Sequence, residues 1–296
     1  MLRTKLGLAV ATALVTIGGT ASAALFSFDP IAGGAVAPGA FFADQIVFSS
    51  LGPSTATITD GGGGGGGTAG QIDIDANGLI GGLVSTDTFI EKGLVQFVNF
   101  RLGAGSVLPG TSGIDSTYQL FGTYNAPLPG GGILTGRSAI DAGGNLISVF
   151  EAPTTAFIYL DYGGVLNNVL DLGTSNLIAS LTLDTTALSN CVNPSLGAAQ
   201  GTCVLNFDMA SAFAGVWTVG GTDIATAGGK LQIDLNADQL SPPFTQVFAG
   251  GSGSTQSSLI THDGSARIDV NQVPEPVTLA LLGMGLMGIR LFSRKS

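Results

Sequence analysis

The chain has 296 residues, 47 of them glycine, with 45% hydrophobic residues and a formal net charge of −10. Five of its ten bases, Arg3, Lys5, Arg290, Arg294 and Lys295, sit at the two ends, which leaves 20 acids against five bases between them, a net −15. That excess excludes nucleic-acid or anionic-membrane binding through charge, since phosphate contacts need Lys and Arg, and the glycines show no Gly-X-Y period, which excludes collagen.

The N-terminus reads as an export signal handled by the Sec machinery. Arg3 and Lys5 form a basic start, Leu6 to Ile17 an apolar helix, and Ala21-Ser22-Ala23 a small-residue cleavage site. Cleavage between Ala23 and Ala24 makes residues 1–23 a signal peptide; an uncleaved anchor is the alternative.

Residues 24–272 read as one secreted β-rich domain. Short runs rich in Val, Ile, Thr, Phe and Tyr recur with glycine between them: Phe41 to Phe48, Thr55 to Thr59, Thr88 to Phe100, Tyr118 to Tyr124, Leu146 to Phe150, Thr155 to Tyr159, Leu177 to Leu183, Cys203 to Phe207, Val216 to Val219, Lys230 to Leu235 and Ser258 to Val270. This pattern predicts an all-β, Gly-rich antiparallel β-sandwich or similar stacked sheets, flanked by the N-terminal signal helix and a C-terminal transmembrane helix. Phe26, Phe28, Phe41, Phe42, Phe48, Phe97 and Phe100 read as core. Asn167 to Leu172 and Thr185 to Ser189 have apolar spacing enough for single helical turns. Gly61 to Gly67 is an unbroken glycine run and reads as a flexible loop, since no Lys-Ser/Thr follows it to cradle phosphate.

Asp73, Asp75 and Asn77, followed by Gly78, match the start of a calcium loop, D-x-D-x-N-G. The bidentate acid expected at position twelve falls on Val84, so the cage would need other strands; solvent-facing polar positions beside a turn are the competing reading. Asp234, Asn236 and Asp238 repeat the alternation, either as hairpin-turn chemistry or as the trace of a duplicated unit. Cys191 and Cys203, the two cysteines of an exported chain, predict a disulfide; a metal site would want more ligands and a redox pair closer spacing. His262 reads as a turn residue before Gly264. Glu91, Glu151 and Glu275 are the three glutamates, and no nucleophile–histidine spacing or zinc motif accompanies them, so the expectation is a protein that is not an enzyme and has no cofactor beyond calcium.

The last residues combine three parts. Val273-Pro274-Glu275-Pro276 should be extended, because Pro fixes its own φ and disfavours helix before it. Val277 to Phe292 is an apolar run of 16 residues, about 24 Å as a helix, short of the roughly 20 residues that cross a bilayer comfortably. Arg290, Arg294 and Lys295 form a basic end that the positive-inside rule keeps in the cytoplasm. In this order the three parts of residues 273–296 resemble the PEP-CTERM sorting signal of Gram-negative bacteria. The resemblance implies an exosortase as partner, cleavage near Pro274, Glu275 and Pro276, a transient inner-membrane anchor through residues 277–292, and delivery to the cell surface or extracellular matrix.

Ala24 to Pro30, Phe41 to Ile46, Asp87 to Leu102 and Tyr118 to Phe121 are similar to PEP-CTERM proteins associated with flocculation. That resemblance implies a secreted, non-enzymatic protein that acts with exopolysaccharide or other matrix components in biofilm or floc. A carbohydrate-binding module, calcium-assisted through the Asp73 turn, is the alternative.

Overall fold

The computed structural model describes residues 24–270 apart from 62–70, 74–86, 108, 125–131, 141–143, 164–165, 195–199, 242–246, 250–252 and 254. Ala21, Ala23, most of the glycine run, Asp75, Asn77, Val273, Pro274, Glu275, Pro276 and both terminal apolar runs lie outside the described residues. Among those described, no helix is long and apolar enough to cross a membrane.

Two short strands come first, β1 (Phe26–Phe28) and β2 (Phe41–Ala43). Eight staves follow. The first is β3 (Gln45–Ser50) running on into β4 (Ser54–Thr59). A short strand, β5 (Gln71–Asp73), lies on the way to the second, β6 (Thr88–Lys92) with β7 (Leu94–Leu102). Strand β8 (Gly105–Ser106) and a single helical turn, α1 (Pro109–Ser112), lead to the third, β9 (Gln119–Thr123) with β10 (Leu134–Ile140). The fourth is β11 (Leu146–Phe150) with β12 (Thr155–Asp161), and the fifth β13 (Ser175–Leu183) with β14 (Asn190–Asn193). Strand β15 (Gln200–Ala212) is the whole sixth stave. After β16 (Trp217–Val219) and β17 (Thr222–Asp223) comes the seventh, β18 (Gly229–Ser241). Strand β19 (Val247–Ala249), paired with β5, precedes the eighth, β20 (Thr255–Val270).

Each stave pairs antiparallel with the next in sequence, and the eighth returns to the first: β20 pairs with β4 through Thr255–Ile260 and with β3 through Asp263–Arg267. The expected all-β antiparallel architecture is therefore joined at both edges into an eight-staved meander barrel. Closure pairs each of the eight staves on both sides among the described residues, which removes the open edges on which another chain could add.

Period-two alternation decides which side chains enter. In β15, Cys203, Leu205, Phe207 and Met209 are buried while Thr202, Val204, Asn206 and Asp208 are not. In β20, Ser258, Ile260, His262, Ala266 and Ile268 point inward, and Ser257, Thr261, Asp263, Ser265 and Arg267 outward. A barrel apolar inside and polar outside is the reverse of a transmembrane barrel, whose outer band is apolar.

One pole is closed by a four-stranded sheet in the order β17-β16-β1-β2. Phe28 is its centre: its ring lies 4.6 Å from Trp217, 5.1 Å from Phe100, 5.7 Å from Phe41 and 6.0 Å from Tyr118. Of the phenylalanines read as core, Phe26, Phe28, Phe41, Phe48, Phe97 and Phe100 are buried, but Phe42 is 59% exposed. Phe41 and Phe42 are neighbours in one strand, so only one of them can face the core.

Neither segment read as a helical turn forms one; the only helical turn among the described residues is α1. Side chains capture the backbone there instead. The Asp184 carboxylate accepts from the Thr186 amide at 2.8 Å, and the Asn167 side-chain oxygen from the Val169 amide at 3.0 Å, which competes with helix formation.

Candidate functional site

Stave two carries Glu91 and stave eight carries His262 to the same level of the barrel interior. Both are buried, and His262 Nε2 is hydrogen-bonded to Glu91 Oε1. Ser54 Oγ, from β4 between them, lies 2.6 Å from the same carboxylate oxygen and 3.0 Å from the Ile260 carbonyl, and donates to one of them at a time. Tyr124 adds a further hydrogen bond to Glu91. Burial pushes the Glu91 carboxyl up, but the His262 ring and the hydrogen bonds from His262, Ser54 and Tyr124 outweigh it and hold the carboxyl below its ordinary range. The Tyr124 hydroxyl is pushed well up by burial and then by the negative Glu91 beside it. Glu91 stands at the centre with donors around it. In a Ser–His–acid arrangement the histidine stands between the other two, whereas here the carboxylate does.

The sequence reading of His262 as a turn residue is corrected: it lies in mid-strand. Gly264 is not a turn glycine but a point of close approach, where a Cβ would meet the Asp234 carbonyl at 2.3 Å. Glu151 is exposed and pairs with Arg137 at 3.2 Å, whereas Glu91 is buried.

Two small cavities flank the polar cluster. One, of about 60 Å³, is apolar and bordered by Phe48, Phe97, Leu181, Phe207 and Leu231. The other, of about 40 Å³, adjoins Ser148, Asn193 and His262. A cavity of about 150 Å³ holds benzene, so neither admits a sugar ring. The interior is a packed core around the buried Glu91–His262 hydrogen bond.

Cys191 and Cys203 are opposite each other in β14 and β15 and form the expected disulfide, directed into the barrel.

A larger depression lies on the outer wall, where five adjacent staves present the waist of the barrel. It has a volume of about 670 Å³ and is lined by Arg101, Thr202, Asp234, Asn236, Asp263 and Ser265 among others. Sequence reasoning found Asp234 and Asn236 only as an echo of the Asp73 segment, and missed Asp263 and Arg101. Alternation would have put Asp234 and Asn236 on one face, but the neighbouring strands could be identified only from the register. The echo lies inside β18, not at a hairpin turn. Asp234 is engaged by Arg267 at 2.5 Å. Among the described residues no three His, Cys, Asp or Glu side chains converge as a cation cage. Of the calcium candidates only Asp73 falls in a described segment, as the last residue of β5.

Both ends of the described domain meet at the capped pole. The Ala24 amide donates to the Ile268 carbonyl at 3.0 Å, so the first described residue lies beside the last strand, two residues before it ends at Val270. The PEP-CTERM protein-sorting motif is matched at residues 272–295. Comparison with curated proteins and with solved structures finds no match.

Proposed function

We propose, from the premise that the chain is a PEP-CTERM protein and an exosortase substrate, that it is a non-enzymatic surface or matrix protein acting in exopolysaccharide-associated biofilm or floc. The observation that carries this reading is the meeting of both ends at one pole. Cuts at Ala23 and near Pro274 then both fall outside the barrel ladder, and the released domain keeps its eight staves. The saturated Glu91 and the small cavities are consistent with a structural interior. Intact mass and location in the host, with and without the exosortase, test the route. The expected result is loss of both ends and release only when the protease is present. Glu275→Ala should leave a chain that retains residues 277–296; unchanged processing of that variant would remove the sorting premise.

One observation favours a second reading, a carbohydrate-binding module. The outer depression of about 670 Å³ falls within the usual range of ligand sites, and its Arg, Asp, Asn and Thr side chains suit vicinal hydroxyls. Asp263→Ala and Asn236→Ala should each weaken binding to a glycan array at least several-fold, with the melting temperature nearly unchanged. Absence of any glycan signal for the unmodified chain would leave the first reading alone.

A further inference from the structure

Six of the eleven exposed large apolar side chains among the described residues, Leu25, Ile31, Val36, Phe42, Leu102 and Phe213, belong to the capped pole. Leu25 and Phe42 share the outward face of the β1–β2 pair, because Ser27 is the cross-strand partner of Phe42 and Leu25 lies one diagonal away. Val36, in the connection between those strands, is 85% exposed. Leu102 ends β7 next to Arg101, whose carbonyl accepts from the Asp44 amide, and Ile31 and Phe213 are exposed as well. Leu25 directly follows Ala24, which is held against the last strand through Ile268.

The lengths outside the barrel set how far that pole can stand from a bilayer. Six residues separate Val270 from Val277, a reach of at most about 20 Å. At the other end Ala24 is already tied to Ile268, so the signal segment joins the pole with no spacer. The acids of the pole are partly engaged by backbone: the Asp29 carboxylate accepts from the Ile31 amide, Asp44 from Gly103 and Asp223 from Gly215.

We propose that the capped pole, through Leu25, Val36, Phe42, Leu102 and Phe213, is a lipid-contacting face that rests on the membrane while the C-terminal segment is still attached. The inference rests on the sorting reading for its anchor. The occupant is a zwitterionic lipid surface, since a domain of net −14 over residues 24–272 is repelled by an anionic one. A face of this kind holds the pole down, turns the opposite pole outward, and keeps the end of β20 close to the membrane.

The test uses the signal-processed chain, Ala24 to Ser296, reconstituted in phosphatidylcholine vesicles, beside the triple variant Leu25→Ser, Val36→Ser, Phe42→Ser. Amide hydrogen exchange is read over residues 25–44 and over the far-pole strands 54–59 and 134–140. Slower exchange at 25–44 in the unmodified chain than in the variant, with equal exchange at the far pole, supports the lipid face. Equal exchange at 25–44 in two anchored chains overturns it. Protection at 25–44 that rises with protein concentration in the absence of lipid also overturns it, by showing that a second copy covers the face. A chain that floats free of the vesicles counts against the anchor. The pole is then read from the same residues with the free chain and added vesicles.

Discussion

Glu91 shows how a single buried charge is tolerated. Its carboxylate has lost water and regained His262, Ser54 and Tyr124. Replacing it with Gln keeps the shape but removes the carboxylate that accepts these hydrogen bonds, and should cost about 3 kcal/mol, read as a lower melting temperature. The pH dependence has a definite sign. A carboxyl held below its ordinary value of 4.5 binds a proton less readily folded than unfolded. Its stabilisation is complete above about 4.5 and is lost as the pH falls through the lower folded value. Melting curves between pH 7 and pH 2.5 should therefore show an acid-side loss in the unmodified protein that is smaller in Glu91→Gln. The same slope in both would mean that other carboxylates set the acid limit.

Glycine at the scale of a strand marks where staves press together. A Cβ on Gly136 would stand 1.9 Å from the Val149 carbonyl oxygen in the neighbouring β11, and backbone cannot move aside as a side-chain tip can. Gly136→Ala should cost about 3 kcal/mol, the upper end of overpacking, whereas Gly105→Ala, with its nearest contact at 3.8 Å, should be close to neutral. Denaturant titration of the two variants compares them; equal midpoints would show that β10 and β11 can part. The disulfide belongs to this scale too, since it joins adjacent strands across a loop of 12 residues. Its reduction should remove about 3 kcal/mol by the loop-entropy estimate, measured as the shift in unfolding midpoint with a thiol reductant. The loop after β12 is held differently: the Gln119 side chain donates to Asn168 at 2.6 Å, and the Asn168 amide donates back to Gln119 at 3.2 Å.

The whole molecule is a closed barrel with one capped pole that carries exposed apolar side chains. Both ends of the domain leave from the capped pole, so whatever holds the ends also orients the barrel. Deleting residues 271–296 should leave the domain folded, because the last pairing, Val270 with Gly229, is complete before them. Circular dichroism and melting temperature of that truncated form should match those of the full chain. A collapse of the melting transition would show that the C-terminal segment takes part in the fold.

The sequence by itself determined the β class, the disulfide and the sorting signal, because each is local: period-two alternation, the two cysteines of an exported chain, and three short segments in a fixed order. It also marked most of the core phenylalanines, but not the choice between Phe41 and Phe42, since two adjacent aromatics look alike until the face of the strand is known. His262 was misread for a related reason. A glycine two residues on resembles a turn, and only the approach of stave seven shows that it is a close crossing. Barrel closure, the pairing of Glu91 with His262, the outer depression and the meeting of Ala24 with Ile268 all join residues more than 130 positions apart or on several strands. Hydrogen-bond register, which no local pattern encodes, decides them.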